Sequence, residues 1–148
     1  MEIALQSIGI IHTPFHEKPG TPIQSARSDA PGWVEVFPEF SAGLDGVEDF
    51  SRLYLIYVFD RSDPVTSLHV KPFLDDQLHG IFATRYPVRP NGLGLSIVAV
   101  ASRESNILRF TGADMLDGTP LLDIKPYLPE FDHFNVEKIG WYQNRKYA

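Results

Sequence analysis

Proline and glycine interrupt this chain so often that no long helix fits between them. Twelve prolines and eleven glycines are spread along 148 residues. Proline fixes φ and removes a backbone donor, and glycine marks turns, so the chain is cut into short pieces that suit strands and loops. Those pieces are apolar and rich in β-branched or aromatic residues: Trp33 to Phe37, Leu53 to Phe59, Leu95 to Val100, Ile107 to Phe110 and Pro120 to Lys125. Ile3, Leu5, Ile8 and Ile10 mark an earlier strand that ends near Thr13-Pro14. The run Leu53 to Phe59 is apolar throughout, which predicts a central strand buried on both faces. Ile81 to Ala83 reads as the apolar lead-in to a loop, with Leu95 to Val100 leading out. Leu44, Val47 and Phe50 stand at three-residue steps, which fits one helical or 3₁₀ turn. Val136 to Lys146 reads as a short helix bearing Ile139, Trp141 and Tyr142. The pattern predicts a mainly β chain: an antiparallel sheet curled or closed into a barrel, with short helices and long ordered loops. A four-stranded sandwich with a helical cover is the alternative. One domain over residues 1–148 is expected, with a tail from about 133 to 148.

A chain of this length buries roughly two thirds of its unfolded surface. No segment reaches the ~18 apolar residues of a membrane span, and the N-terminus lacks a signal pattern. No cysteine is present, so there is no disulfide frame, and a cytoplasmic protein is the default expectation. The formal net charge of −6 opposes broad attraction to nucleic acid but leaves room for a local basic patch. Arg52, Arg61, Lys71, Arg89, Lys125, Arg145 and Lys146 are the cations that a dimer would have to gather for such a patch.

The segment with the clearest chemistry runs from Gly80 to Val100. Arg85 and Arg89 are each followed within two residues by proline, and Asn91-Gly92 comes next. Pro87 and Pro90 stiffen this connection and keep it out of a sheet interior, while Gly92 and Gly94 permit positive φ or close backbone approach. A stiff loop that presents two guanidinium forks suits a planar anion such as a carboxylate or phosphate. Three other polar loops would meet it at one barrel end: Pro22-Ile23-Gln24, Asp60-Arg61, and Thr111-Gly112-Ala113-Asp114 with Asp117. Such a set fits a ligand with a carboxylate, an amine and a heteroaromatic ring.

Other chemistries find little footing. Pro14 between His12 and His16 forbids the helix that would align them as metal ligands, and Asp75-Asp76 with His79 reads as a solvated loop. No metal is expected, and a metal-dependent hydrolase is the weakest reading. No G-x-S-x-G elbow, Rossmann fingerprint or P-loop occurs.

At these residues the sequence resembles the TrmO/YaeB family, known also through its TsaA-like domain. The matching stretches are Ile8 to Ile11 with Thr13-Pro14-Phe15, Pro22-Ile23-Gln24, Gly43 to Ser51, Gly80 to Arg85, Arg89-Pro90-Asn91, and Asp117-Gly118-Thr119-Pro120 through Asp123 to Tyr127. The resemblance implies a β-barrel methyltransferase that uses S-adenosyl-L-methionine, acts as a homodimer, and methylates N6 of threonylcarbamoyl-adenosine at position 37 of tRNA. It places cofactor contacts at Pro22, Ile23, Gln24, Asp60, Arg61, Arg85 and Leu95, and at Thr111, Gly112, Ala113 and Asp114. Asp114 and Asp117 are then the candidate proton acceptors, and Arg89 a candidate acceptor contact. Family members commonly have His where this chain has Asp60, and Pro-Ile where it has Gly92-Leu93. A noncatalytic protein of the same fold that binds S-adenosyl-L-methionine or a nucleotide is the rival expectation.

Overall fold

The computed structural model describes residues 1–146; Tyr147 and Ala148, the end of the expected tail, lie outside the described residues. Six strands close into an antiparallel barrel. In chain order they are β1 (Gly9–His12), β2 (Pro31–Val36), β3 (Arg52–Val58), β6 (Leu93–Glu104), β7 (Ile107–Thr111) and β8 (Thr119–Pro126), and β4 (His69–Val70) pairs with β5 (His79–Gly80) as a separate ribbon. Around the barrel the order is β1-β2-β7-β6-β3-β8, returning to β1. Closure leaves no free sheet edge, which matters for strands this short.

Alternation decides what goes inside. Along β3 the inward residues Leu53, Leu55 and Tyr57 are at most 3% exposed, while Tyr54, Ile56 and Val58 are only partly covered. The expectation of burial on both faces is therefore corrected. β3 is central, paired to β6 and β8, but a barrel has only one inside. Ile11, Val34, Val36, Val98, Leu108, Phe110 and Leu121 complete the core from the other strands.

The N-terminal strand also begins later than its sequence pattern suggests. Ile3 and Leu5 are 76% and 66% exposed, and pairing starts only at Ile8, whose amide donates to Leu121 O (2.8 Å). Alternating apolar residues make a strand only where they pair with an edge, and the β1–β8 ladder ends at Leu121 although β8 runs on to Pro126 against β3. The apolar lead-in Ile81–Ala83 is a 3₁₀ turn, and the tail, expected as a short helix, forms a 3₁₀ turn at Gly140–Asn144. The expected turn near Leu44 to Phe50 is two 3₁₀ pieces, Pro38–Leu44 and Val47–Asp49.

Gly94 shows why a glycine stands in β6. A Cβ there would lie 2.1 Å from the Tyr57 ring, which crosses the barrel interior directly over it. Close approach, not positive φ, is what this glycine provides, since its φ is ordinary. Gly94→Ala has to displace a ring that is 3% exposed and whose hydroxyl is held by Ser96 (2.8 Å). The expected loss is about 2–3 kcal/mol of stability in urea unfolding, the cost of overpacking a core. Gly43→Ala, which meets open space, is expected to leave the midpoint in place. Equal midpoints for the two variants would contradict this packing.

The registers also fix which loops share an end. His12, Pro31, Val58, Leu93, Thr111 and Thr119 all lie at one rim. The connections 13–30, 59–92 and 112–118 therefore open on the same side.

Candidate functional site

All of the loops singled out in the sequence meet at that rim, where they form two clusters. In the first, Arg85 Nη1 donates to Gln24 Oε1 (2.6 Å), and the Gln24 amide nitrogen donates to Ile23 O (2.9 Å). The glutamine is thereby oriented with its oxygen toward the guanidinium. Among the described residues neither Arg85 nor Arg89 pairs with an aspartate. Arg89 turns back on its own loop, where its Nη1 donates to Thr84 O (2.9 Å) and Tyr86 O (3.1 Å). It braces the connection that carries Arg85.

Directly after Gln24 the chain dips into the barrel mouth. Ser25 Oγ lies 2.7 Å from both Ile97 O and Gly112 O, and Ser28 Oγ donates to Ala113 O (2.6 Å). Gly112 has φ 98°, and a Cβ there would lie 2.7 Å from Ser25 Oγ, so glycine is required twice over. The amides of Gly112 and Ala113 both donate to Ala30 O. The amides of these two expected cofactor contacts thus join two loops.

Below this seam lies a buried polar chain. Tyr57 Oη is 2.8 Å from Ser96 Oγ, and Ser96 Oγ donates to Asp114 Oδ1 (2.6 Å). Desolvation raises the Asp114 carboxyl to about 6, against the opposing hydrogen bond from Ser96. Burial, with the Asp114 charge beside it, pushes the Tyr57 phenol well above its usual range. A carboxyl poised near neutrality at a rim can exchange protons at physiological pH. Tyr57 and Ser96 escaped the sequence reading. Their signal was available: hydroxyls at the inward parity of two apolar strands, beside Leu55 and Val98.

The second cluster gathers around Asp117. Its Oδ1 accepts from the Thr13 amide (3.0 Å) and lies 3.5 Å from His12 Nδ1, while Oδ2 is 3.6 Å from His16 Nδ1. Arg61 Nη2 donates to Asp117 O (2.7 Å), and its Nε is 3.4 Å from Asp60 Oδ1. Pro14 rules out a helix, yet the loop still brings both histidines to one carboxylate. Among the described residues no group of three or more His, Cys, Asp or Glu is placed to hold a metal ion. Among the described residues no hydrogen bond joins this cluster to Arg85 or Gln24.

Leu95 faces outward from β6 and is 58% exposed, next to Leu93 at 46% on the same face. The cations do not form one groove on this chain. Arg52 and Lys125 lie at the end of the barrel opposite Arg61, and Lys125 pairs with Asp123 (2.9 Å). Asp75 and His79, expected to be a solvated loop, instead form a close pair (2.8 Å) in which Asp75 is only 8% exposed.

A cleft of about 610 Å³ opens beside Arg85. Gln24 and Arg85 line one side, Phe73 and Tyr86 another, and Trp141 and Tyr142 of the C-terminal segment a third. Nothing in the sequence pattern assigned that segment to the rim.

The architecture is thus a closed antiparallel barrel with the candidate site residues gathered at one mouth. The model of the tRNA-methyltransferase O N-terminal domain matches residues 10–133, and the chain belongs to this family. This is the family that the arginine loop and the Asp-Gly-Thr-Pro stretch resemble. A Pyrococcus abyssi protein named "Probable S-adenosyl-L-methionine-binding protein" is 54% identical over 140 residues, covering 94% of this chain and 76% of that one. A mouse tRNA (adenine(37)-N6)-methyltransferase is 33% identical over 134 residues, covering 86% of this chain and 31% of its own length. The crystal structure of TrmO from Pseudomonas aeruginosa matches with a TM-score of 0.79 at 35% identity, over 95% of this chain and 62% of that chain. The chain therefore spans under two thirds of the solved TrmO chain it matches. No helix among the described residues is long and apolar enough to cross a membrane.

Proposed function

We propose that this chain is an S-adenosyl-L-methionine-dependent methyltransferase that methylates N6 of threonylcarbamoyl-adenosine at position 37 of a tRNA, as a cytoplasmic homodimer. The supporting observation is the Gln24-Ser25 step. Through it one dipeptide ties an exposed guanidinium to the loop that carries a buried carboxyl: Gln24 accepts from Arg85, and Ser25 Oγ donates to Gly112 O, two residues before Asp114. The family's relatives bear names that point to the same donor and reaction.

The residues present fit the donor. Arg85 is exposed and has only Nη1 engaged by Gln24, which leaves the rest of its fork for a carboxylate. When bound, S-adenosyl-L-methionine supplies a methyl on a sulfonium, with a neutral thioether as leaving group. The chain's own contribution is orientation and a proton site. Arg85 fixes the anionic end, Arg89 and the prolines keep that loop stiff, and Pro22 and Ile23 contribute apolar contact beside it. Asp114 accepts the proton that the acceptor nitrogen gives up. Asp117 already takes the Thr13 amide, faces two imidazoles and is the weaker candidate. Asp60 and Arg61 lie across the rim, and Leu93 with Leu95 offers an apolar outer face to a second copy.

Methyl transfer from labelled donor to total tRNA is the test. Incorporation is expected into tRNA that carries the threonylcarbamoyl group and not into tRNA lacking it, from a species that sediments as a dimer. Donor binding without transfer to either tRNA would replace the enzyme with a noncatalytic binding protein.

A further inference from the structure

The C-terminal segment packs across the mouth of the cleft as a fixed wall. Trp141 Nε1 donates to Ala83 O (2.7 Å), two residues before Arg85. The His79 ring stacks on the indole at 4.9 Å between centroids and 19° between planes, and Asp75 holds that imidazole (2.8 Å). The Lys146 amide donates to Leu74 O (3.1 Å) and closes the segment onto the same loop. Across the cleft, Phe73 and Tyr86 pack ring to ring at 5.2 Å. Arg27, exposed at the opening, places Nη2 3.5 Å from the Tyr142 hydroxyl.

The indole N–H is already used, so Trp141 has only its ring to offer a ligand. Aromatic rings with a guanidinium at the opening are the means by which proteins hold an unstacked base and its phosphate. The cleft volume of about 610 Å³ lies within the range of small-ligand sites. The wall also lies past residue 133, where the match to the shared family domain ends. Gln24 and Arg85, placed above at the donor's carboxylate, line the same cleft, so the wall stands where a base would meet the donor.

We propose that Trp141 forms the stacking subsite for the purine base of the acceptor RNA, with the Tyr142 edge beside it and Arg27 at its phosphate. This rests on the methyltransferase reading above, and the test separates the two. The chain has two tryptophans, Trp33 and Trp141, so Trp33→Phe leaves Trp141 as the sole indole reporter. An RNA hairpin with an unpaired adenosine in its loop is expected to quench that fluorescence. The same hairpin with an abasic site there, or S-adenosylhomocysteine alone, is expected to leave it unchanged. Trp141→Ala is expected to raise the KM for tRNA about tenfold or more, since stacking one base is worth roughly that much. Donor affinity by calorimetry should stay unchanged, and Trp141→Phe should restore most of the KM if the fold is intact. Quenching by the abasic hairpin, or by S-adenosylhomocysteine as strongly as by RNA, overturns the subsite. Methyl transfer without adenosine-dependent quenching overturns it too. Adenosine-dependent quenching without any transfer upholds the subsite and defeats the methyltransferase reading instead.

Discussion

Arg85→Ala is expected to weaken S-adenosyl-L-methionine binding by about tenfold to a hundredfold in calorimetry, the usual scale for losing a charge-assisted hydrogen-bond pair. On the proposed reading, anion binding concentrates here. Arg85 is the rim guanidinium in the first cluster whose fork is not consumed by backbone carbonyls. Arg89 has Nη1 between Thr84 O and Tyr86 O, and Arg61 reaches Asp117 O. Arg85→Lys keeps the charge but loses the planar fork, so an intermediate loss is expected. Gln24→Ala removes the oxygen that holds Arg85 in place, and its cost should be smaller, since the charge remains. Arg89→Ala acts through the loop: it frees two carbonyls and softens the connection, lowering thermal stability more than donor affinity. Wild-type affinity in Arg85→Ala would remove the anion-binding role and with it the placement of the donor.

The sequence shows the rim chemistry more clearly than it shows the packing beneath it. Arg85, Gln24 and Asp114 stand out because proline- and glycine-rich loops that carry charge have little structural reason to exist in a small barrel. The barrel follows from short alternating strands, and the registers then place three loops at one end without further information. What alternation could not settle is what lies outside the barrel. Tyr54 and Ile56 are as apolar in sequence as their inward neighbours, so β3 looks buried on both faces. Ile3 and Leu5 look like strand because sequence carries no sign of where pairing stops. Trp141 reaches the cleft by packing against residues 79 to 83, a contact across some sixty positions that no local period encodes. Tyr57, Ser96 and Asp114 are likewise far apart in sequence. Their link depends on β3 and β6 pairing so that Leu55 faces Ser96, which puts the Tyr57 hydroxyl within reach of the serine.

Asp114→Asn should reduce methyl transfer by about a hundredfold to ten-thousandfold, the range associated with removing a positioned general base. It should also abolish a rising limb in kcat/KM near pH 6, where the carboxyl titrates. Stability gives a second readout that is independent of turnover. The folded carboxyl sits at about 6 against an ordinary value of 3.8, so the native state binds its proton more tightly than the unfolded chain. Its contribution is therefore full at pH values below about 4 and disappears as pH rises through about 6. A shift of that size corresponds to at most about 3 kcal/mol. Wild type should lose stability relative to Asp114→Asn between pH 4 and pH 7, because the amide cannot titrate. Ser96→Ala strips a hydrogen bond that favours the charged form and should move the kinetic limb to higher pH while keeping activity above it. Parallel stability curves for wild type and Asp114→Asn, together with an unchanged pH–rate profile, would take the proton from Asp114. Asp117 would then be the next group to test, because its carboxylate shares the same rim within 3.6 Å of two imidazoles.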